Sequence, residues 1–170
     1  MPTWGEIHLW AVRFFGTHGG LIGRGWNEIV AMCEKPNGDP IMTEYVGAIE
    51  KQTLENTYFR QVLFTAQHSQ LVVMCLLPGE DIGDEVHSHV DQFFRIEQGE
   101  AKFVFNEKVE RAVSAGDAVV VPAGTYHNVV NTSKTTMLKL YTIYSPPNHP
   151  NGTVHKTKAE AEAAELVEHG

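Results

Sequence analysis

The spacing of apolar residues divides the chain into three zones. Near the N-terminus Trp4, Ile7, Ala11, Phe14 and Phe15 recur at helical spacing. They follow Thr3-Trp4-Gly5-Glu6, which fits a capping box. This predicts a helix that stops at the Gly16–Gly20 segment, and a weaker helix from Leu21 to Glu34. The cluster Lys35–Pro40 is a turn signal. From about Thr57 the pattern changes to short runs rich in Val, Ile, Phe and Tyr. These predict strands over Tyr58–Phe64, Gln70–Leu77, Gln92–Glu97, Lys102–Phe105, Val109–Val113, Ala118–Val121, Tyr126–Val130 and Met137–Tyr144. Turn residues separate them, including Pro78-Gly79, Gln98-Gly99, Gly116-Asp117 and Ala123-Gly124. Many short strands with no helix between them predict an all-β antiparallel sandwich or barrel. In the tail, Thr157-Lys158-Ala159-Glu160 offers a second capping box before an Ala/Glu-rich helix to about Val167. The domain expectation is a mostly helical extension over 1–50, a β-barrel over 51–147 and a tail with a short helix over 148–170.

Composition narrows the classes. The chain has 170 residues and is 42% hydrophobic, enough for a packed core. Against 21 acidic residues stand 13 Lys and Arg, a formal charge of -8. That balance argues against binding nucleic acid or an anionic membrane. The apolar runs, such as Leu71–Leu77, are far too short to span a bilayer. The N-terminus lacks the basic start and apolar stretch of a signal peptide. With two cysteines, Cys33 and Cys75, no disulfide framework is expected. Cys75 reads as a small buried hydrophobe, and a cytoplasmic location is the expectation.

Nine histidines point toward metal. His127 follows a Pro-x-Gly turn at the start of a predicted strand, where a rigid turn can aim it into a barrel. Strand alternation puts Glu85 and His87 on one face, together with His89 if the strand runs that far. Gln92, Phe94 and Ile96 share a face of the next strand, with Phe93, Arg95 and Glu97 opposite. A carboxylate, imidazoles and an amide converging from three strands suit a borderline divalent ion. His8, His18, His68, His149, His155 and His169 have no ligand spacing around them and read as solvated or locally bonded.

These two stretches resemble the paired motifs of the cupin superfamily. The second motif, G-x5-P-x-G-x2-H-x3-N, is matched at every position by Gly116, Pro122, Gly124, His127 and Asn131. The first, G-x5-H-x-H-x3,4-E-x6-G, is matched in spacing by Gly79, Glu85, His87, Gln92 and Gly99. Here Glu85 stands for the first His and Gln92 for the Glu. Two ligand sets follow. Glu85, His87, Gln92 and His127 keep every spacing. His87, His89, Gln92 and His127 keep the His-x-His chemistry but shorten the turn. The first is favoured, because a one-residue slip would turn Gln92 to the other face.

The resemblance covers roughly residues 57–147 and extends to small bacterial single-domain cupins of the mannose-6-phosphate isomerase-like kind. It implies a double-stranded β-helix, or jelly-roll barrel, with a divalent metal (Mn, Fe, Co, Ni or Zn). It also implies a small polar substrate or ligand, with isomerase-like or dioxygenase-like chemistry. Glu85 or an unligated Gln92 is the expected proton carrier. A non-catalytic ligand-binding or structural barrel is the alternative. The resemblance further implies a homodimer, with outward Phe93 as apolar surface. A monomer by light scattering at micromolar concentration would count against that.

Overall fold

The structure is a computed structural model, and it describes residues 44–168. The two N-terminal helices expected before residue 35, the Lys35–Pro40 turn, Cys33, His8, His18 and His169 lie outside the described residues.

A short helix, α1 (Ile49–Glu55), leads into nine strands. They are β1 (Arg60–Thr65), β2 (Gln70–Leu76), β3 (Asp91–Gln98), β4 (Glu100–Phe105) and β5 (Val109–Ser114), then β6 (Ala118–Val121), β7 (His127–Asn131), β8 (Leu138–Ser145) and β9 (Val154–His155). Helix α2 (Lys158–Glu168) follows. The eight expected strands are all present, with ends within two residues of those read from the sequence. Helix α1 and strand β9 were not expected. Helix α1 has no side-chain N-cap, and the residue it buries is Thr53, whose hydroxyl donates to the Ile49 carbonyl. No apolar stripe announces it. Strand β9 is too short to show a period.

The strands form two antiparallel sheets, one in the order β6-β3-β8-β2-β1-β9 and one in the order β5-β4-β7. Facing sheets joined in this order make a jelly-roll, the double-stranded β-helix expected from the sequence. Two glycines show why its turns hold. Gly99 joins β3 to β4 at φ +90°, and a Cβ there would stand 2.9 Å from the Met137 carbonyl oxygen. Gly124 has φ +78° in the turn that delivers β7, a conformation L side chains rarely adopt.

The inner face of the large sheet is ordered in rows. Across β3, β8 and β2 the register aligns Gln92, Tyr144 and Gln70, then Phe94, Thr142 and Val72, then Ile96, Leu140 and Met74. Leu138 and Leu76 pair in a further row beyond it. All of these are buried. The apolar rows meet Phe103 and Val129 of the small sheet, with the Phe94 and Phe103 rings edge to face at 5.1 Å. The polar row sits at the opposite end of the same strands. As the sequence parity predicts, Gln92, Phe94 and Ile96 point in, and Phe93, Arg95 and Glu97 lie on the more exposed face. Cys75 is buried and free.

Helix α2 is capped as its sequence suggests, with one variation. The Glu160 amide donates to the Thr157 hydroxyl at 3.3 Å. The Glu160 carboxylate accepts from the Lys156 amide at 2.6 Å, one residue before the cap. Among the described residues no helix is long and apolar enough to cross a membrane.

Candidate metal centre

Two segments build the site, and backbone hydrogen bonds sew them together. The loop over residues 80–87 runs beside β7. Glu85 and His127 exchange both backbone hydrogen bonds at 2.9 Å, so they are direct cross-strand partners with side chains on one side. The Gly124 amide donates to the His87 carbonyl at 2.8 Å, which ties the loop to the Pro-x-Gly turn. Asn131 anchors the far end of β7. Its buried side-chain amide donates to the carbonyls of Leu76, Leu77 and Thr136 and accepts from the Ser133 amide. The motif asparagine therefore holds three chain segments together and takes no part in the ligand set.

Glu85, His87 and His127 come together, with one ligand atom from each lying within 4.8 Å of the others. Glu85 Oε2 lies 3.3 Å from His87 Nε2 and 3.9 Å from His127 Nε2. Ligands about 2.1 Å from one ion stand about 3.0 Å apart at octahedral right angles and about 3.4 Å apart at tetrahedral ones. The spacing suits a single ion with little movement. Gln92 joins from β3, its Oε1 lying 3.1 Å from His127 Nε2 and its Nε2 donating to the Thr142 hydroxyl. His89 lies exposed in the turn before β3, outside this group.

Protonation chemistry tests whether these donors fit a cation. His127 Nδ1 lies 3.1 Å from the Thr125 carbonyl, a partner that can only accept, so Nδ1 carries the proton. Burial lowers the His127 pKa more than the Thr125 and Glu85 interactions raise it, so the imidazole is neutral. Its Nε2 lone pair then faces Gln92 Oε1 and Glu85 Oε2. Three acceptors lie together around His127 Nε2, with His87 hydrogen-bonded to Glu85 Oε2 at 3.3 Å. A divalent ion satisfies all three. On this chemistry the donor set fits the group that the sequence implies.

Charge is managed around the site. Burial pushes the Glu85 carboxyl up, but the His87 hydrogen bond, the Arg60 guanidinium and the two imidazoles outweigh it. Its pKa ends below the usual carboxylate range, and it is ionised at neutral pH. Arg60 is 1% exposed and reaches Glu85 Oε1 at 3.1 Å and Glu165 of α2 at 3.0 Å. Burial works against its charge, but Tyr144, Glu85 and Glu165 more than offset this and raise its pKa. Tyr144 is held as a phenol, pushed up by burial and by Glu85.

One reading of the sequence is corrected. His149 is not a solvated tail residue. Its ring meets the Tyr144 ring edge to face at 5.0 Å, and its Nε2 is buried with no hydrogen-bond partner. Burial, with Arg60 nearby, takes its pKa down to about 3. Gln70 fixes it there, donating to the His149 carbonyl at 2.8 Å and accepting from its amide at 2.9 Å. Sequence reasoning also passed over Arg60, Gln70 and Tyr144. Strand parity was the available signal. Arg60 shares a face with Val62, Gln70 with Val72, and Tyr144 with Leu140.

Comparison with known proteins agrees with this fold. The Cupin domain family matches residues 72–144, which span β2 to β8. A Bacillus subtilis (strain 168) protein, YrkC, is 52% identical over 126 residues, covering 71% of this chain and 67% of its own. An Acanthamoeba polyphaga mimivirus protein is 46% identical over 112 residues, covering 65% of this chain and 70% of its own. Both carry the description uncharacterised. The crystal structure of BH2720 from Bacillus halodurans superposes with a TM-score of 0.68 at 46% identity, over 70% of this chain and 93% of that one. The chain belongs to the cupin family.

Proposed function

We propose that the barrel holds one divalent metal ion on Glu85, His87, Gln92 and His127 and presents it to a small polar molecule. The observation that supports this most is the convergence of His127 Nε2, Gln92 Oε1 and Glu85 Oε2, with His87 beside them. Four protein ligands leave positions open on a six-coordinate ion for a bound molecule. Such an ion supplies Lewis acidity to a carbonyl or hydroxyl oxygen, the chemistry an isomerase-like or dioxygenase-like cupin uses. The chain's own residues frame that chemistry. Gln92 and Glu85 orient the site, Glu85 supplies the one carboxylate among the ligands, and Tyr144 stays protonated as a hydrogen-bond donor. Phe94, whose ring lies 5.9 Å from that of His127, closes the inner side against water.

The test is a substrate screen with metal-loaded and chelator-treated protein, read as oxygen uptake and as sugar isomerisation. The expected result is turnover that requires metal and is abolished in His127→Ala. Tight, metal-independent binding of a small molecule without turnover would overturn the catalytic reading in favour of a binding barrel.

A further inference from the structure

The two oxygens of Glu85 face different partners. Oε2 faces His87 and His127, at 3.3 and 3.9 Å. Oε1 faces Arg60 Nη2, at 3.1 Å. The other arm of the same guanidinium, Nη1, is held by Glu165 Oε1 of α2 at 3.0 Å. Arg60 is the first residue of β1, paired with Met74 on one side and His155 on the other, so its backbone sits in the sheet interior. A second ion pair, Lys158 to Asp81 at 2.7 Å, ties α2 to the loop that carries Glu85. The guanidinium is thus held at both arms, while its Nε is buried without a hydrogen-bond partner.

A carboxylate can offer an ion one oxygen or two. Here one oxygen is taken by a planar, permanently charged group that cannot swing away without breaking two ion pairs. We propose that Arg60 is a positioning residue that makes Glu85 a one-oxygen metal ligand, with Glu165 and α2 bracing it from outside the barrel. This rests on the metal-site reading above.

Charge and position make opposite predictions, which allows a decision. If Arg60 acted through its charge alone, removing that charge would strengthen cation binding, and Lys would serve as well as Arg. If it acts by position, Lys fails too, because an ammonium lacks the fork that holds Glu85 and Glu165 together.

The experiment is a Co²⁺ titration of the chelator-treated full-length chain, followed by the visible absorption of the bound ion. Folding of each variant is checked by circular dichroism. Wild type is expected to take up one Co²⁺ per chain. Arg60→Lys and Arg60→Met are expected to bind about tenfold more weakly, the usual scale for groups that orient metal ligands. Their absorption bands are expected to change shape as Glu85 loses its fixed pose. Glu165→Gln, at a half-exposed position, is expected to shift the bands the same way by less. If the Arg60→Met chain does not fold, Arg60→Lys and Glu165→Gln decide. Folded variants with wild-type affinity and bands overturn the inference, as does tighter binding by Arg60→Met with Arg60→Lys unchanged. A wild type that takes up no Co²⁺ overturns the metal-site reading itself, and this inference with it.

Discussion

The two ends of the barrel are built from the same strands and do different work. At one end Ile96, Leu140, Met74, Leu138 and Leu76 close a dry core. At the other Gln92, Tyr144, Gln70 and His127, reached by the Arg60 side chain from the Met74 row, are buried to the same degree yet are polar or charged. Packing explains the first end, since each buried aliphatic side chain contributes about 1.5–3 kcal/mol by leaving water. It does not explain the second. Burying polar groups costs free energy unless each finds a partner, and apolar residues of the same volume would give a more stable barrel. A charged, incompletely partnered end beside a dry one is where a functional site is to be sought.

The comparison breaks if the two ends prove equivalent under substitution. The largest effect on stability is expected at the dry end. Leu140→Ala should cost about 2–5 kcal/mol in urea denaturation, while metal content stays at that of wild type. Loss of metal in that variant, with the fold retained, would show that the ends are not separable.

Acid should act on the polar end. The pKa values of His149, His127 and Glu85 all lie below their ordinary values in the folded chain. The unfolded chain therefore binds more protons below about pH 6.5, the ordinary imidazole value, and stability falls as pH falls. The His149 part is present above that pH and is lost progressively down to about pH 3. In chelator-treated protein, His149→Phe should flatten stability against pH between 6 and 4, by up to about 1.4 kcal/mol per pH unit. An unchanged slope would place His149 outside the buried polar end.

The dry end and the polar end were not equally legible in the sequence. Strand positions followed from alternation and from glycines such as Gly99, whose neighbours leave no room for a Cβ. Gln92 was placed on the inner face by parity with Phe94 and Ile96, and His127 by the turn before it. Arg60 was not read, because its partners Glu85 and Glu165 lie 25 and 105 residues away along the chain. His149 was not read because a Pro-rich tail carries no period. Its place is set by hydrogen bonds to Gln70, 79 residues earlier. Apolar packing leaves a periodic trace in sequence, whereas a polar network leaves one only where spacing is fixed by a local turn.

The central claim is that the polar end is a metal site, and it is tested most directly by the metal content of protein purified without an affinity tag. The account predicts one divalent ion per chain by mass spectrometry in wild type and in His89→Ala, whose parent side chain lies exposed in the turn. It predicts loss of the ion in His127→Ala and in Glu85→Ala. Absence of stoichiometric metal from wild type, or full retention in Glu85→Ala with loss in His89→Ala, would contradict it.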